Sequence, residues 1–82
     1  MVNVSNEPLF EKKLGKIKDV AFKLRIKKQI EKIIENPEIG KPMRHSRKGT
    51  REVYIPPYRL SYAYIRDVDE IIFLDLYHKD EQ

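Results

Sequence analysis

Residues 49–66 read Gly49-Thr-Arg-Glu-Val-Tyr-Ile-Pro-Pro-Tyr58-Arg59-Leu-Ser-Tyr-Ala-Tyr64-Ile-Arg66, and this stretch decides the fold. Its second half alternates. Tyr58, Leu60, Tyr62 and Tyr64 fall on one face of a strand, and Arg59, Ser61, Ala63 and Ile65 on the other. Arg51 to Ile55 reads as the strand before it. Pro56-Pro57 offers no donor to a ladder, so the pair marks a bend between the two. Downstream, Asp67 to Glu70 is a turn. Ile71 to Tyr77 is a nearly continuous apolar run, predicted to be a central strand covered on both faces. Three consecutive antiparallel strands result.

Upstream the period changes from two to about 3.6. Val2 to Ser5 suits a short first strand, and Ser5 or Asn6 is the expected cap of a first helix, with Glu7 and Pro8 in its first turn. Phe10, Leu14 and Ile17 then mark one helical face. Asp19 caps a second helix from Val20 to Glu35, whose apolar stripe is Phe22, Ile26, Ile30, Ile33 and Ile34. Asn36-Pro37 stops it. Ile39 to Pro42 reads as a turn, with a short strand near Met43 to His45. The prediction is one domain over residues 1–82, of α+β class. A helical hairpin packs on one face of a mostly antiparallel sheet of four to five strands, in the order β-α-α-β-β-β-β, and the other face stays open.

With 82 residues and no cysteine, the chain has a thin core and neither a disulfide nor a thiolate metal site to support it. No signal peptide and no apolar run of spanning length is visible, so the expected location is the cytoplasm, away from membranes. Charge is uneven. Residues 40–66 hold seven Lys/Arg against one acid, net +6, and residues 67–82 hold one Lys against six acids, net −5. Such a positive pole attracts phosphate backbones or acidic partner chains. The lysines of the helices read as an ordinary solvated surface. The arginines between 44 and 59 read as a binding feature, because a guanidinium offers a planar fork suited to phosphate.

Arg59 lies within a strongly β-forming segment. There it serves either as a fixed charge stabiliser for a phosphate transition state or as a structural partner of a carboxylate such as Asp75. His78 and Lys79 close the last strand, where proton transfer near neutral pH is available to the imidazole. All five tyrosines lie in the sheet half. Tyr58, Tyr62 and Tyr64 are assigned to the core, and Tyr54 and Tyr77 to nucleotide contact. His45 reads as exposed. The two histidines and scattered acids lack metal-ligand spacing, there is no Gly-rich phosphate loop, and the serines show no triad logic.

The order of these parts resembles the RelE/ParE superfamily of small toxins from toxin–antitoxin pairs. Lys48-Gly49 looks like its Lys-Gly turn, Tyr58-Arg59-Leu60-Ser61-Tyr62 like its Tyr-Arg core, and His78-Lys79 like its closing His-Arg pair. The resemblance implies a RelE-like mRNA interferase. This is a ribosome-dependent endoribonuclease in which the RNA's own 2′-hydroxyl attacks the adjacent phosphate without metal or cofactor, inhibiting translation. The implied catalytic set is Arg59, His78, Lys79 and Lys48. The implied RNA and phosphate contacts are Arg44, Arg47, Arg51, Tyr54 and Tyr77. Glu52 stands where many such nucleases carry Lys or Arg; it is a candidate general base, as carboxylates are in some members. Several members place a tyrosine beyond the closing pair, a role open here to Tyr77. The implied partners are a cognate RelB-like antitoxin, forming a heterotetramer, and the ribosome with its mRNA. Two alternatives remain: a non-enzymatic, ParE-like gyrase poison, and a decayed toxin that only binds nucleic acid or antitoxin.

Overall fold

Strand-period and helix-period segments become strands and helices in the order expected. In a computed structural model, which describes residues 2–43 and 49–81, strand β1 (Asn3–Asn6) leads into helices α1 (Pro8–Gly15) and α2 (Val20–Glu35). Strands β2 (Lys41–Pro42), β3 (Thr50–Ile55), β4 (Tyr58–Ile65) and β5 (Glu70–His78) follow, with short 3-10 turns at Arg66–Val68 and Lys79–Glu81. The five strands form one sheet in the order β1-β5-β4-β3-β2. β1 runs parallel to β5, and every other pair is antiparallel. The fold is α+β.

The helical hairpin covers the sheet face assigned to the alternating tyrosines. Phe10 of α1 stacks on Phe73 of β5 with ring centroids 5.5 Å apart, and Phe22 of α2 meets Tyr58 of β4 at 5.1 Å. Phe10, Ile26, Ile33, Leu60, Tyr62, Ile71, Phe73 and Leu76 are all but sealed from solvent. Each such side chain stabilises the fold by about 1.5–3 kcal/mol relative to its exposed state. Ile34, predicted to join the stripe, is exposed, and Ile30 only flanks the core.

Local details depart from the sequence reading in two places. α1 is capped by Glu7 without a side-chain bond, not by Ser5 or Asn6. Those two residues are held in β1 against Ile72 and Phe73, and Pro8 at the helix start has no N–H to satisfy. The short strand after the hairpin is Lys41–Pro42, within the predicted turn, where Lys41 and Pro42 pair with Glu52 and Arg51. The strand placed near Met43 to His45 falls largely on residues 44–48, outside the described residues. Asp19 caps α2 as expected, its Oδ1 accepting from the Phe22 N–H at 3.3 Å.

The connection from α2 to β2 is clamped from beneath. The buried Tyr62 hydroxyl donates to the Pro37 carbonyl at 2.8 Å and accepts from the Gly40 N–H at 2.9 Å. Arg51 Nη1 donates to the carbonyls of Glu38 and Gly40 at 2.9 and 2.8 Å. Burial pushes the Tyr62 hydroxyl above its ordinary pKa of 10.0, against the opposing pull of the Gly40 bond and the Arg51 charge. A phenol that keeps its proton longer folded than unfolded adds stability that is fully present below pH 10 and is lost as pH rises through the folded value. Tyr62→Phe is therefore expected to lose about 1–3 kcal/mol at neutral pH. Its stability should also fall less steeply than the wild type's from there to about pH 11. Urea unfolding midpoints at the two pH values check both effects.

Candidate active site

One irregularity in β5 sets what the open face displays. Strict alternation from Ile71 and Phe73 would turn Asp75 and Tyr77 into the core. The register between β4 and β5 instead shifts at Ser61/Tyr62: Ser61 pairs with Asp75 but Tyr62 pairs with Phe73, leaving Leu74 as the extra residue of a bulge. Leu76 thereby takes the core position opposite Leu60, and Tyr77 is turned to the open face opposite Arg59. Asp75 is bound by Lys13 of α1 at 3.4 Å, and its Oδ1 accepts from the Leu76 N–H at 2.7 Å. It is not the partner of Arg59.

On the open face Arg59 sits between two tyrosines. Tyr54 of β3 and Tyr77 of β5 are its cross-strand partners. Its guanidinium carbon lies 6.0 Å from the centre of the Tyr54 ring, and its Nη1 is 3.3 Å from Glu52 Oε1. The other Glu52 oxygen, Oε2, accepts from the Tyr77 hydroxyl. One carboxylate thus ties Arg59 to Tyr77 across three strands. The Glu52 side chain is 18% exposed and that of Arg59 is 35%, so both are partly desolvated yet reachable. Lys41 of β2 is in register with Glu52 and shares this face. A carboxylate, a guanidinium, a phenol and an aromatic ring meet here on the sheet face away from the helices.

The remaining predicted site residues fall elsewhere. Arg51 lies on the helix-facing side of β3, its guanidinium occupied by the Glu38 and Gly40 carbonyls, so it reaches no ligand on the open face. His78 also faces the helices. It pairs with Tyr58 and meets that ring edge-on at 5.5 Å, on the side opposite Arg59, while Asp80 Oδ2 lies 3.5 Å from its Nδ1. Lys79 is exposed at the start of the last turn, tethered through its N–H to the Pro57 carbonyl at 3.0 Å. Arg44, Arg47 and Lys48 lie outside the described residues. Lys41 was not singled out by sequence, since a two-residue strand leaves no periodic trace. Among the described residues no group of three or more His, Cys, Asp or Glu is placed to hold a metal ion, and no helix is long and apolar enough to cross a membrane.

This arrangement of a helical hairpin on a five-stranded sheet is the RelE-like toxin fold. The isolated Escherichia coli RelE toxin superposes with a TM-score of 0.81 at 15% identity, over 95% of this chain and 84% of that one. The RelBE2 toxin–antitoxin complex of Mycobacterium tuberculosis gives 0.79 at 20% identity, over 95% and 98% of the two chains. A metal-bound toxin from Helicobacter pylori gives 0.65 at 20% identity, over 99% and 98%. No curated protein matches the chain by sequence. Residues 4–82 match the family model of the ParE toxin of type II toxin–antitoxin systems. The chain belongs to that family, within the RelE/ParE toxin superfamily.

Proposed function

We propose that this toxin is a ribosome-dependent mRNA endonuclease whose chemistry is carried by Glu52, Arg59 and Tyr77 on the open sheet face. The observation that carries the reading is the Glu52 carboxylate held between the Arg59 guanidinium and the Tyr77 hydroxyl. RNA cut by its own 2′-hydroxyl needs a base for that proton and a fixed positive charge beside the phosphate. Glu52 is the base. Arg59, on the central strand of the sheet, neutralises the charge that builds on the phosphate. Tyr77 orients the carboxylate, and Tyr54 offers a ring on which a base stacks. His78 is not assigned a chemical role, because it lies across the sheet from the other three. No cofactor is required by this scheme, and the toxin is read as working in the cytoplasm, where translating ribosomes are. By analogy with the complexes of its structural neighbours, a RelB-like antitoxin is the proposed inhibitor, in a heterotetramer.

The test is cleavage of ribosome-bound mRNA in a purified translation system containing the wild-type toxin. The expected result is cuts in the ribosomal A site with 2′,3′-cyclic phosphate ends. A folded toxin that leaves every message intact would overturn the reading. The family model favours a second reading, gyrase poisoning by binding alone. Gyrase-dependent DNA breaks without RNA cleavage would establish it.

A further inference from the structure

Five lysines of the hairpin, Lys13, Lys16, Lys18, Lys28 and Lys32, line two neighbouring hollows. A pocket of about 630 Å³ lies between the turn joining the helices and the Pro56-Pro57 bend, with Lys16, Lys18 and Arg25 on its wall. A second, of about 160 Å³, continues along α2 past Lys28 and Lys32 to Tyr54. The two share Arg25 and Pro56. Arg25, Lys28 and Lys32 follow one another at i, i+3 and i+7, a single helical stripe about 10 Å long.

Two features connect this stripe to the active site. β2 pairs only with Arg51 and Glu52, so among the described residues the edge of β3 is uncovered from Val53 onward. Tyr54 sits on that edge with its ring exposed, and the same ring lies beneath Arg59. The basic lining therefore extends from the helix side to Tyr54 on the free edge of the sheet, and the Tyr54 ring is its link to Arg59 and so to the Glu52–Arg59 pair. Its charge is unbalanced. Among the described residues Asp19 is the only acid on either lining, and its Oδ1 caps α2. Lys16, Lys18, Lys28 and Lys32 make no ion pair among the described residues.

We infer that this channel is a track for the backbone of single-stranded RNA leading to or from the cleavage site, with Arg25, Lys28 and Lys32 as phosphate contacts and Tyr54 as the first stacking platform. The inference rests on the endonuclease reading and extends it by a second, non-catalytic contact on the same polymer. Cations along a groove with an aromatic at its end suit a nucleic-acid strand. An amphipathic peptide helix would find its apolar anchors elsewhere, in the groove that Leu14, Ile26 and Ile30 line on the outer side of the hairpin.

The experiment measures binding of a fluorescein-labelled, fully 2′-O-methylated RNA, which cannot be cut, from 50 to 200 mM salt. Each lost phosphate contact flattens the salt dependence of log K by about 0.7. The triple variant Arg25→Gln, Lys28→Gln, Lys32→Gln is expected to lower the slope by about 2 and to weaken binding on the order of several hundredfold at the low-salt end. Lys28→Gln with Lys32→Gln leaves the Arg25 guanidinium over the Phe22 ring, 5.5 Å from its centre, and is expected to lower the slope by about 1.4. A triple variant with native circular dichroism and the wild-type slope overturns the inference. So does loss of polyglutamate binding with RNA binding intact, which would make the channel a peptide site. If that variant keeps the slope while wild type still cuts ribosome-bound mRNA, the track fails and the nuclease reading stands. A flattened slope without any wild-type cleavage keeps RNA binding by these cations but removes the nuclease, and with it the inference that they lead to a cleavage site.

Discussion

Arg59→Ala is expected to lower RNA cleavage by about 10²–10³-fold, as loss of one preorganised charge stabiliser does, while the protein still folds and its melting temperature falls by no more than about 8–16 °C. The two effects separate because of where the side chain lies. Its side chain is about one-third exposed, so its ion pair with Glu52 contributes at most about 1 kcal/mol to stability. The contact with Tyr54 adds a similar amount. During cleavage the same group faces a phosphate that gains charge in the transition state, where a fixed donor acts without reorganisation. Glu52→Gln tests the other half of the pair. It keeps the shape and one acceptor for the Tyr77 hydroxyl but removes the base, at an expected cost of about 10²–10⁴-fold. Single-turnover cleavage and thermal melts on both variants check this. A folded variant of either kind with wild-type cleavage would take that residue out of the chemistry.

Most of the fold follows from period alone. β4 and α2 appear with their predicted bounds, because each carries a full alternation or stripe and a clear stop. The site was harder to read. Arg51 and Tyr54 were both assigned to RNA, yet positions an odd number apart on one strand face opposite ways. The sequence held that signal, and it separates the clamp residue from the site residue. The same parity splits Tyr77 from His78. Which of that pair joins Arg59 depends on the register of β5 against β4, and a bulge at Leu74 decides it. Nothing in an apolar run such as Ile71 to Leu76 marks which residue will be extra. Only the need to keep Asp75 out of the core hints at one.

Glu52 gains its meaning from tertiary placement. In the sequence it is a candidate general base only through the family resemblance. Three strands must be placed before its carboxylate is seen between Arg59 and Tyr77. The lysines of α2 change in the same way. Helical spacing alone cannot distinguish a solvated stripe from a channel wall. The distinction comes from Pro56 and Tyr54, which close the other side. Charge content thus pointed to an anionic partner, and tertiary placement separates Arg59, the proposed catalytic cation, from Arg51, which is bound to the Glu38 and Gly40 carbonyls, and from the cations of the proposed track.

Gly40→Ala is expected to be the most destabilising small substitution in the chain, at about 2–4 kcal/mol, the range for a clash or broken network in a packed interior. A Cβ at Gly40 would lie 2.6 Å from the Tyr62 hydroxyl oxygen, 2.8 Å from its Cε1 and 3.0 Å from the Arg51 Cβ. Flexible side chains often yield to such a contact, but Tyr62 cannot. Its ring is fully buried against the Phe73 ring at 6.2 Å, and its hydroxyl is held on both sides by Pro37 and Gly40. Relief by moving the Gly40 backbone would break the bond to Tyr62 and the Arg51 bond to the Gly40 carbonyl. That leaves buried groups unpaired at about 1–3 kcal/mol each. It would also shift Lys41, the next residue, and so the strand that pairs with Glu52. For a domain of this size each kcal/mol lowers the melting temperature by about 4–8 °C, so a drop of at least about 10 °C is expected. A calorimetric scan of Gly40→Ala beside Gly15→Ala provides the contrast. A Cβ at Gly15 meets nothing within 4 Å, and that variant should melt within a few degrees of wild type. Equal melting of the two variants would show that Tyr62 and its clamp yield, and that the turn ahead of β2 is held by other contacts.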